Sequence, residues 1–312
     1  MRELRIAVVG DIHTHFGDDD VRYFNQSEYD VLLFVGDLPD RKLWQVNAEA
    51  RKLARVRKPM YCIPGNHDAL TLLQLVGEFF GNPLLIRAGA PGHKKRVDRL
   101  REALSPAILC GYSWHPLPAP DEPIGLVVGR PHSMGGGLNV APYLAEAFAV
   151  YTLEQSGQRI CRLIDEVPYS RLILMAHHGP SGLGDHPTDP WGCDFKKGGG
   201  DWGDPDLKVA VDYALANGRE LLAVIAGHMH YPTKSNRRHR RWYAHRGGTH
   251  FVNAARVPRI QRGADGARHH HISLEIGESC RVHEVWVTPR GESFSVERVE
   301  AGGAPEASAS AV

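Results

Sequence analysis

The chain has 312 residues, 42% of them hydrophobic, and can therefore bury a sizeable core as one large α/β domain or as two smaller ones. Its 37 Lys and Arg residues nearly balance 36 Asp and Glu residues, which argues against a global basic field that would recruit nucleic acid. The five cysteines form no CxxC pair, and no apolar run approaches the length of about 18 residues that a membrane span needs. We therefore expect a cytoplasmic protein with no membrane partner.

The N-terminal third contains three short apolar runs that are typical of buried strands, and each run ends in a polar cluster. The clusters are Gly10-Asp11, Gly36-Asp37 and Gly65-Asn66-His67-Asp68. Between the second and third runs, apolar residues recur at helical spacing over residues 42–57. This β-α-β alternation predicts an α/β fold.

Two further strand-like runs lie later in the chain, at residues 171–180 and 221–230, and residues 205–217 form a helical pattern between them. Beyond Gly247 the rhythm changes to short strand-like runs, which we assign to an antiparallel edge or a second sheet. We expect a single domain over residues 1–300, with insertions at about 81–140 and 178–206 that form site walls or a lid. Residues 301–312 lack large apolar side chains and are predicted to be a disordered tail.

The five predicted strands carry their polar clusters at their C-terminal ends, where ligands bind in open α/β sheets. The clusters should therefore meet in space. Imidazole, carboxylate and amide donors without thiolate suit divalent ions such as Mn, Fe, Zn, Co or Ni. These donors are too many for one tetrahedral ion, but they suffice for two ions that share a bridging carboxylate.

The order of these clusters gives five motif blocks, "GDIH", "GDLPD", "GNHD", "AHHGP" and "GHMH", between Asp11 and His230. This series resembles the calcineurin-like metallophosphoesterase superfamily, whose blocks are DxH, GDxxD, GNH[DE], a single or doubled His, and GHxH. The resemblance implies a two-sheet αββα sandwich that holds two divalent metal ions at the strand ends. It assigns one ion to Asp11, His13 and His230, the other to Asn66, His177 and His228, and the bridging position to Asp37.

The same resemblance implies roles for residues around the metal ions. His67 would donate a hydrogen bond or a proton to the departing or transferred oxygen. Asp40, Asp68 and His178 would lie outside the ligand set, and the carboxylates would orient neighbours, for example by holding His67 in one tautomer. We expect alternation along an extended segment to turn His228 and His230 towards one cleft while Met229 points inward.

The function implied is hydrolysis of a phosphate mono- or diester by in-line attack of a water whose pKa the two ions lower. A small or nucleotide-like substrate is favoured, because the charge balance does not suit a polymer. Two alternatives stay open, namely a binding scaffold that has lost catalysis and a phosphodiesterase that acts on nucleic acid. The sequence leaves the oligomeric state, the metals and the substrate open.

The segment 127–137, "VVGRPHSMGGG", has a composition that can bring backbone N–H groups and a guanidinium to an anion, although a flexible surface loop is an equal alternative. With "GGDWGDPDL" and "NAARVPRI" it also resembles a less-studied branch of the superfamily with RPxSxGGG, GGDWGDPDL and NAxxVPRI motifs. That branch commonly has Asn at the position of His178. The resemblance makes Arg130, Ser133 and Arg259 candidates for contacts with the substrate's phosphate or leaving group.

Two clusters of basic residues are expected to be structural. "HHH" at residues 269–271 lies in a strand-like run and is predicted to be an exposed edge. "RRHRR" at residues 237–241 is predicted to be a solvated face, because a short basic turn in a neutral protein is usually exposed.

Overall fold

The computed structural model describes residues 3–40, 42–138, 140–234, 237–263 and 266–288, together with the backbone of the strand at 293–295. The predicted tail at 301–312 lies outside these residues. None of the helices in the described part of the chain is long and apolar enough to cross a membrane.

The first sheet brings the N-terminal and C-terminal strands together. Its strands are β1 (Leu4–Val9), β2 (Val31–Phe34), β3 (Met60–Cys62), β4 (Ile108–Leu109), β11 (Ile260–Gly263), β12 (Gly266–Ile276), β13 (Cys280–Val287) and β14 (Ser293–Ser295). Their order is β14-β13-β12-β1-β2-β3-β4, and β11 pairs with β12. The strands β1 to β4 run parallel, whereas β12 runs antiparallel to β1, so that Val8 lies opposite Leu33 on one side and Ile272 on the other.

The second sheet contains the strands of the middle of the chain. They are β5 (Ser113–Leu117), β6 (Ile124–Val128), β7 (Arg171–His178), β8 (Glu220–Gly227), β9 (Tyr243–Arg246) and β10 (Thr249–Asn253). Their order is β5-β6-β7-β8-β10-β9, with antiparallel strands β5 and β9 at the two edges of a parallel centre.

Helices cover the outer faces of both sheets. They are α1 (Asp18–Gln26), α2 (Val46–Leu53), α3 (Asn66–Ala69), α4 (Leu72–Phe80), α5 (Pro83–Gly89), α6 (His93–Leu104), α7 (Pro142–Phe148), α8 (Leu153–Glu166) and α9 (Pro205–Ala216), with a 3-10 turn at Leu43–Gln45. The predicted helices at 42–57 and 205–217 are confirmed with shorter bounds. Thr152 begins α8 because its side-chain oxygen accepts the N–H of Gln155.

The core between the sheets explains why the central strands are apolar on both faces. In β1, Ile6 and Val8 pack into the layer between the two sheets, whereas Ala7 and Val9 pack against the helices α1 and α2. Residues of β7 alternate in the same way, with Met175 between the sheets and Leu174 under α8 and α9. The prediction of an αββα sandwich is confirmed.

Two sequence predictions about the layout need correction. The segment 81–140 is not a simple insertion, because it supplies β4 to the first sheet and β5 and β6 to the second. The triple histidine is not an exposed edge either, because it lies in β12 between β1 and β13. All three histidine residues are at most 9% exposed.

Candidate metal centre

The carboxyl ends of five parallel strands, from both sheets, meet at one edge of the sandwich. Asp11 and His13 follow β1, Asp37 follows β2, and Asn66 begins α3 just after β3. From the second sheet, His177 lies at the end of β7, and His228 and His230 follow β8. Side chains that are up to 219 positions apart in the chain thus reach one place.

A first donor group consists of Asp11, His13 and His230. The Nε2 atom of His230 lies 3.0 Å from Nε2 of His13 and 3.0 Å from Oδ2 of Asp11. The buried Oδ2 atom of Asp11 accepts no hydrogen bond from any described residue, although it is this close to His230. Such side chains converge on a common point rather than on each other, as ligands of one ion do.

A second donor group consists of Asp37, His177 and His228, and Asn66 lies beside it. The Nε2 atom of His177 lies 3.1 Å from Nδ1 of His228 and 3.1 Å from Oδ1 of Asn66. It also lies 3.6 Å from Oδ2 of Asp37.

Asp37 lies between the two groups. Its Oδ2 atom is 3.6 Å from His177 Nε2 in the second group and 3.9 Å from His13 Nε2 in the first. Burial by itself would raise the pKa of this carboxyl, but electrostatic interaction with the neighbouring His177 and His67 outweighs burial and holds the pKa below its usual range. The carboxylate is therefore ionised and available to both groups.

Hydrogen bonds to the backbone set the tautomers of two of these histidines. Nδ1–H of His13 donates to the carbonyl oxygen of Pro39 at 2.9 Å, and Nδ1–H of His177 donates to that of Val35 at 2.5 Å. Each ring then directs the lone pair of Nε2 towards the donor groups, as metal-binding histidines do. Together with the orphaned oxygen of Asp11, this nitrogen and oxygen donor set fits two divalent ions.

The backbone at these positions is unusual for residues with side chains. Asp11, His13, Asp37 and His228 have φ values of 45°, 42°, 55° and 68°. Non-glycine residues seldom adopt this left-handed conformation, and strain of this kind concentrates at functional sites. The argument from alternation along an extended segment is thus wrong, because β8 ends at Gly227 and His228 is left-handed, although Met229 is indeed buried.

Glycines permit the close approach of the acidic side chains to the backbone. A Cβ atom on Gly65 would overlap the carboxylate of Asp37, and one on Gly227 would overlap the carboxylate of Asp11. The N–H of His228 donates to Oδ1 of Asp11 at 3.0 Å across this gap, which joins the two sheets at the site.

His67 is partly buried and lies beside the first donor group. Its ring centroid is 5.7 Å from that of His13, and its backbone N–H donates to Oδ1 of Asp37 at 2.9 Å. Burial lowers the pKa of His67 from its ordinary value, so the imidazole is mostly neutral at pH 7.

The three residues predicted to lie around the ligands have different positions. Asp68 accepts the backbone N–H groups of Asp37, Leu38 and Gly65 at 2.6 to 2.9 Å, so it fixes two site loops rather than the ring of His67. Asp40 is exposed at the surface. His178 is buried against the ring of His228, with centroids 4.9 Å apart, next to the donor groups.

In the structure, Arg130 and Ser133 hydrogen-bond to buried acidic side chains. The guanidinium of Arg130 donates from Nε to Asp206 at 2.8 Å and from Nη2 to Asp204 at 2.6 Å, and all three residues are buried. Ser133 donates to Asp204 at 2.5 Å. These contacts attach the glycine-rich loop to the start of α9, which is a structural role for both residues.

Arg259 likewise lies in a buried cluster beneath the site. It donates from Nη2 to Asp20 at 2.8 Å and from Nη1 to the carbonyl oxygen of His15 at 2.7 Å. His269 also contacts Asp20, at 2.9 Å. Arg259 therefore supports the loop that carries His13.

Sequence reasoning missed three buried residues whose side chains donate hydrogen bonds to the backbone of the site. Arg240 is fully buried and donates to the carbonyl oxygen of His230 at 3.1 Å, so the prediction of a solvated face fails at this position. The indole N–H of the buried Trp191 donates to the carbonyl oxygen of Gly227 at 3.1 Å. His132 donates to that of Gly65 at 2.8 Å. In each of these contacts the acceptor is a main-chain oxygen, which leaves no signature in the sequence.

Comparisons with known proteins agree with this architecture. The sequence model of a family described as calcineurin-like phosphoesterase matches residues 4–232. One crystal structure aligns over 90% of this chain and 99% of its own, with 10% identity and a TM-score of 0.54, which indicates a shared fold. A search of the curated proteins finds no match to this chain.

Two larger proteins of known structure align less closely. Haemophilus influenzae NAD nucleotidase has 11% identity and a TM-score of 0.48 over 96% of this chain and 54% of its own. Thermus thermophilus sulfate thiohydrolase SoxB, in complex with glycerol, has 11% identity and a TM-score of 0.46 over 91% of this chain and 56% of its own. This chain spans about half the length of both proteins.

Proposed function

This chain belongs to the calcineurin-like phosphoesterase family, and from that premise we propose that it hydrolyses a phosphate mono- or diester with the help of two divalent metal ions. The observation that carries the proposal is the position of Asp37. Its Oδ2 atom lies within 4 Å of a ring nitrogen of each donor group, at 3.6 Å from His177 and 3.9 Å from His13. A shared carboxylate is the feature that distinguishes a paired-ion site from two unrelated histidine clusters.

We assign the metal ligands on this basis. One ion would be held by Asp11, His13 and His230, the other by Asn66, His177 and His228, and Asp37 would contribute to both. When bound, the two ions would neutralise charge on the phosphoryl oxygens and lower the pKa of a water. The chain's own contribution is to hold the donors in place, through the left-handed backbone at four of them and the carbonyl contacts of His13 and His177.

His67 is our candidate for the proton-handling residue. It is anchored through its backbone N–H to Asp37, whereas its ring lies beside His13 and is only partly buried. A neutral imidazole in this position can donate a hydrogen bond to the phosphoryl or leaving oxygen. Asp68 positions His67 indirectly, because it fixes the backbone on both sides of the site.

The proposed substrate is small or nucleotide-like. The net charge of +1 gives no long-range attraction for a polyanion. The segment 178–206 is held against the glycine-rich loop, where Trp202 donates to the carbonyl oxygen of Met134 at 3.0 Å and Lys196 lies 4.1 Å above the Trp202 ring. We propose that this aromatic wall borders the substrate cleft.

The experiment is metal reconstitution of the full chain with Mn, Fe, Co, Ni or Zn, followed by assay with p-nitrophenyl phosphate, bis-p-nitrophenyl phosphate and a nucleotide panel. We expect two bound ions per chain by elemental analysis and turnover of at least one ester. Asp37→Ala and Asn66→Ala should abolish turnover while circular dichroism stays unchanged. The matched control is Asp212→Ala, at a carboxylate that is 60% exposed, and it should behave as wild type.

Two outcomes would count against the proposal. Full activity in Asp37→Ala would show that the assigned site is not the reactive one. A chain that binds two ions but hydrolyses none of the esters would instead favour a non-catalytic scaffold of the same fold.

A further inference from the structure

A cluster of apolar side chains is exposed on the helices α4 and α5. Eleven large hydrophobic residues are exposed in the described part of the chain, and five of them lie within residues 72–84. They are Leu72 (76% exposed), Leu73 (42%), Val76 (37%), Phe80 (74%) and Leu84 (73%). Exposed apolar residues are ordinary when scattered, but a contiguous group marks a surface of interaction.

The helix α4 is amphipathic, but its apolar side faces outward and its polar side faces the protein. At about 100° per residue, Leu72, Val76 and Phe80 form one stripe along the helix. Gln74 and Glu78 form a stripe on the other side, and they are only 0% and 7% exposed. A surface helix normally buries its apolar stripe, so this helix is oriented for an apolar environment outside the protein.

The helix α5 extends the same face. A Cβ atom on Gly77 would lie only 2.7 Å from the backbone nitrogen of Ile86, so the two helices are in close contact. The hydroxyl of Thr71 donates to the carbonyl oxygen of Gly89 at 3.0 Å, which joins the ends of the hairpin. The hairpin therefore presents Leu84 beside the stripe of α4 as part of one surface.

Basic residues border this apolar face. Arg87 lies one turn beyond Leu84 on the same side of α5, and it lines a surface recess together with Lys94 and Lys95. Asp98 and Glu146 line the same recess, and Asp98 pairs with Lys94 at 3.0 Å. Over residues 83–102 the sequence nevertheless has six Lys and Arg residues against two acidic ones, in a protein whose net charge is +1.

We propose that the α4–α5 hairpin docks this chain onto the surface of an anionic lipid bilayer. An apolar helical face that enters the headgroup region, next to Lys and Arg side chains that contact lipid phosphates, is the chemistry of interfacial helices. A second copy of the chain fits less well, because a two-fold contact would bring the two basic borders together. The proposal replaces the expectation of no membrane partner and is independent of the catalytic assignment.

The test uses the full chain and vesicles of phosphatidylcholine, alone or mixed with phosphatidylglycerol, in a flotation assay. We expect binding to the mixed vesicles that weakens with salt, and much weaker binding to phosphatidylcholine alone. The triple variant Leu72→Ser, Phe80→Ser, Leu84→Ser should reduce binding about tenfold or more, because it removes most of the exposed apolar area. The matched control changes Tyr151, Val209 and Leu215 to Ser, which are exposed elsewhere, and it should bind as wild type.

A second variant tests the contribution of the basic residues to vesicle binding. Arg87→Glu with Lys95→Glu should reduce binding to the mixed vesicles, with little effect on the melting temperature. The proposal is overturned if the wild type binds neither vesicle, or if the triple variant binds as well as wild type. It is also overturned if the triple variant instead abolishes a dimer that light scattering detects, because the face would then be an interface between copies.

Discussion

Replacing Arg130 by Met is the sharpest test of what the "RPHSMGGG" segment does. The sequence suggested a phosphate contact, whereas the structure buries the guanidinium between Asp204 and Asp206. Each carboxylate also accepts a hydroxyl, from Ser133 and Ser156 respectively, at 2.5 Å. Met keeps the volume of the side chain approximately but removes the only cation in these contacts.

The size of the effect follows from the burial of all three groups. Removing one partner of a buried ion pair leaves an uncompensated charge and typically costs about 3–5 kcal/mol. At about 2 °C per kcal/mol for a chain of this size, Arg130→Met should melt roughly 6–10 °C below wild type. Burial already raises the pKa of Asp204 to about 7, and loss of Arg130 raises it further. A carboxyl whose pKa is higher in the folded protein than in the unfolded chain destabilises the fold less as the pH falls. The stability that Arg130→Met loses relative to wild type should therefore be smaller at pH 5 than at pH 8.

The assay is thermal unfolding followed by circular dichroism, at both pH values, with the double variant Arg130→Met, Asp204→Asn alongside. Neutralising Asp204 should recover part of the lost stability, which a double-mutant cycle measures as a coupling energy. An unchanged melting temperature combined with a raised KM for p-nitrophenyl phosphate would refute the structural role and restore the phosphate contact.

Three further predictions follow from the geometry. Gly65→Ala should lower the metal content, since its methyl group would overlap the carboxylate of Asp37. The control Gly17→Ala has open space around the new methyl group and should bind metal as wild type does. Elemental analysis of the two variants measures the difference. His67→Asn should keep both metal ions but slow turnover by about 10²–10⁴, and loss of the ions in that variant would make His67 a ligand instead. His93→Phe should weaken the fall in the free energy of unfolding at acid pH. Burial lowers the pKa of His93 to about 2, so below about pH 6.5 only the unfolded chain takes up this proton. Wild type should therefore lose about 1.4 kcal/mol per pH unit more than the variant between pH 6 and pH 4, and parallel curves from denaturant titrations would contradict this reasoning.

Much of the candidate site was predictable because its information is local. Each of the five strands is a short apolar run in the sequence, and four of the five runs end in a glycine followed by a donor residue, as at Gly10-Asp11 and Gly36-Asp37. In a parallel sheet the carboxyl ends of neighbouring strands lie together, so a pattern of strand ends predicts a cluster without any knowledge of the topology. The candidate ligands were found in this way, and the structure brings them together.

Residues whose surroundings come from distant parts of the chain were predicted badly. The three histidines of β12 look like an exposed patch in the sequence, yet His269 contacts Asp20, which is 249 positions away. His270 and His271 pair with Glu284 and Tyr29 in the same buried layer. Nothing in the neighbouring sequence records these partners, because a buried polar group is acceptable wherever the fold supplies a partner.

The sequence by itself thus determined the five strands that lead to the site and the donor set at their ends. Tertiary structure alone decided which charges are buried: Arg130, Arg240 and Arg259 are each at most 2% exposed, although each lies in a segment that could as well face solvent or substrate. The physical reason is that hydrophobic periodicity and backbone turns depend on residues that are close in the sequence. The free-energy cost of burying a charge depends instead on partners that only the assembled sheets bring within hydrogen-bond distance.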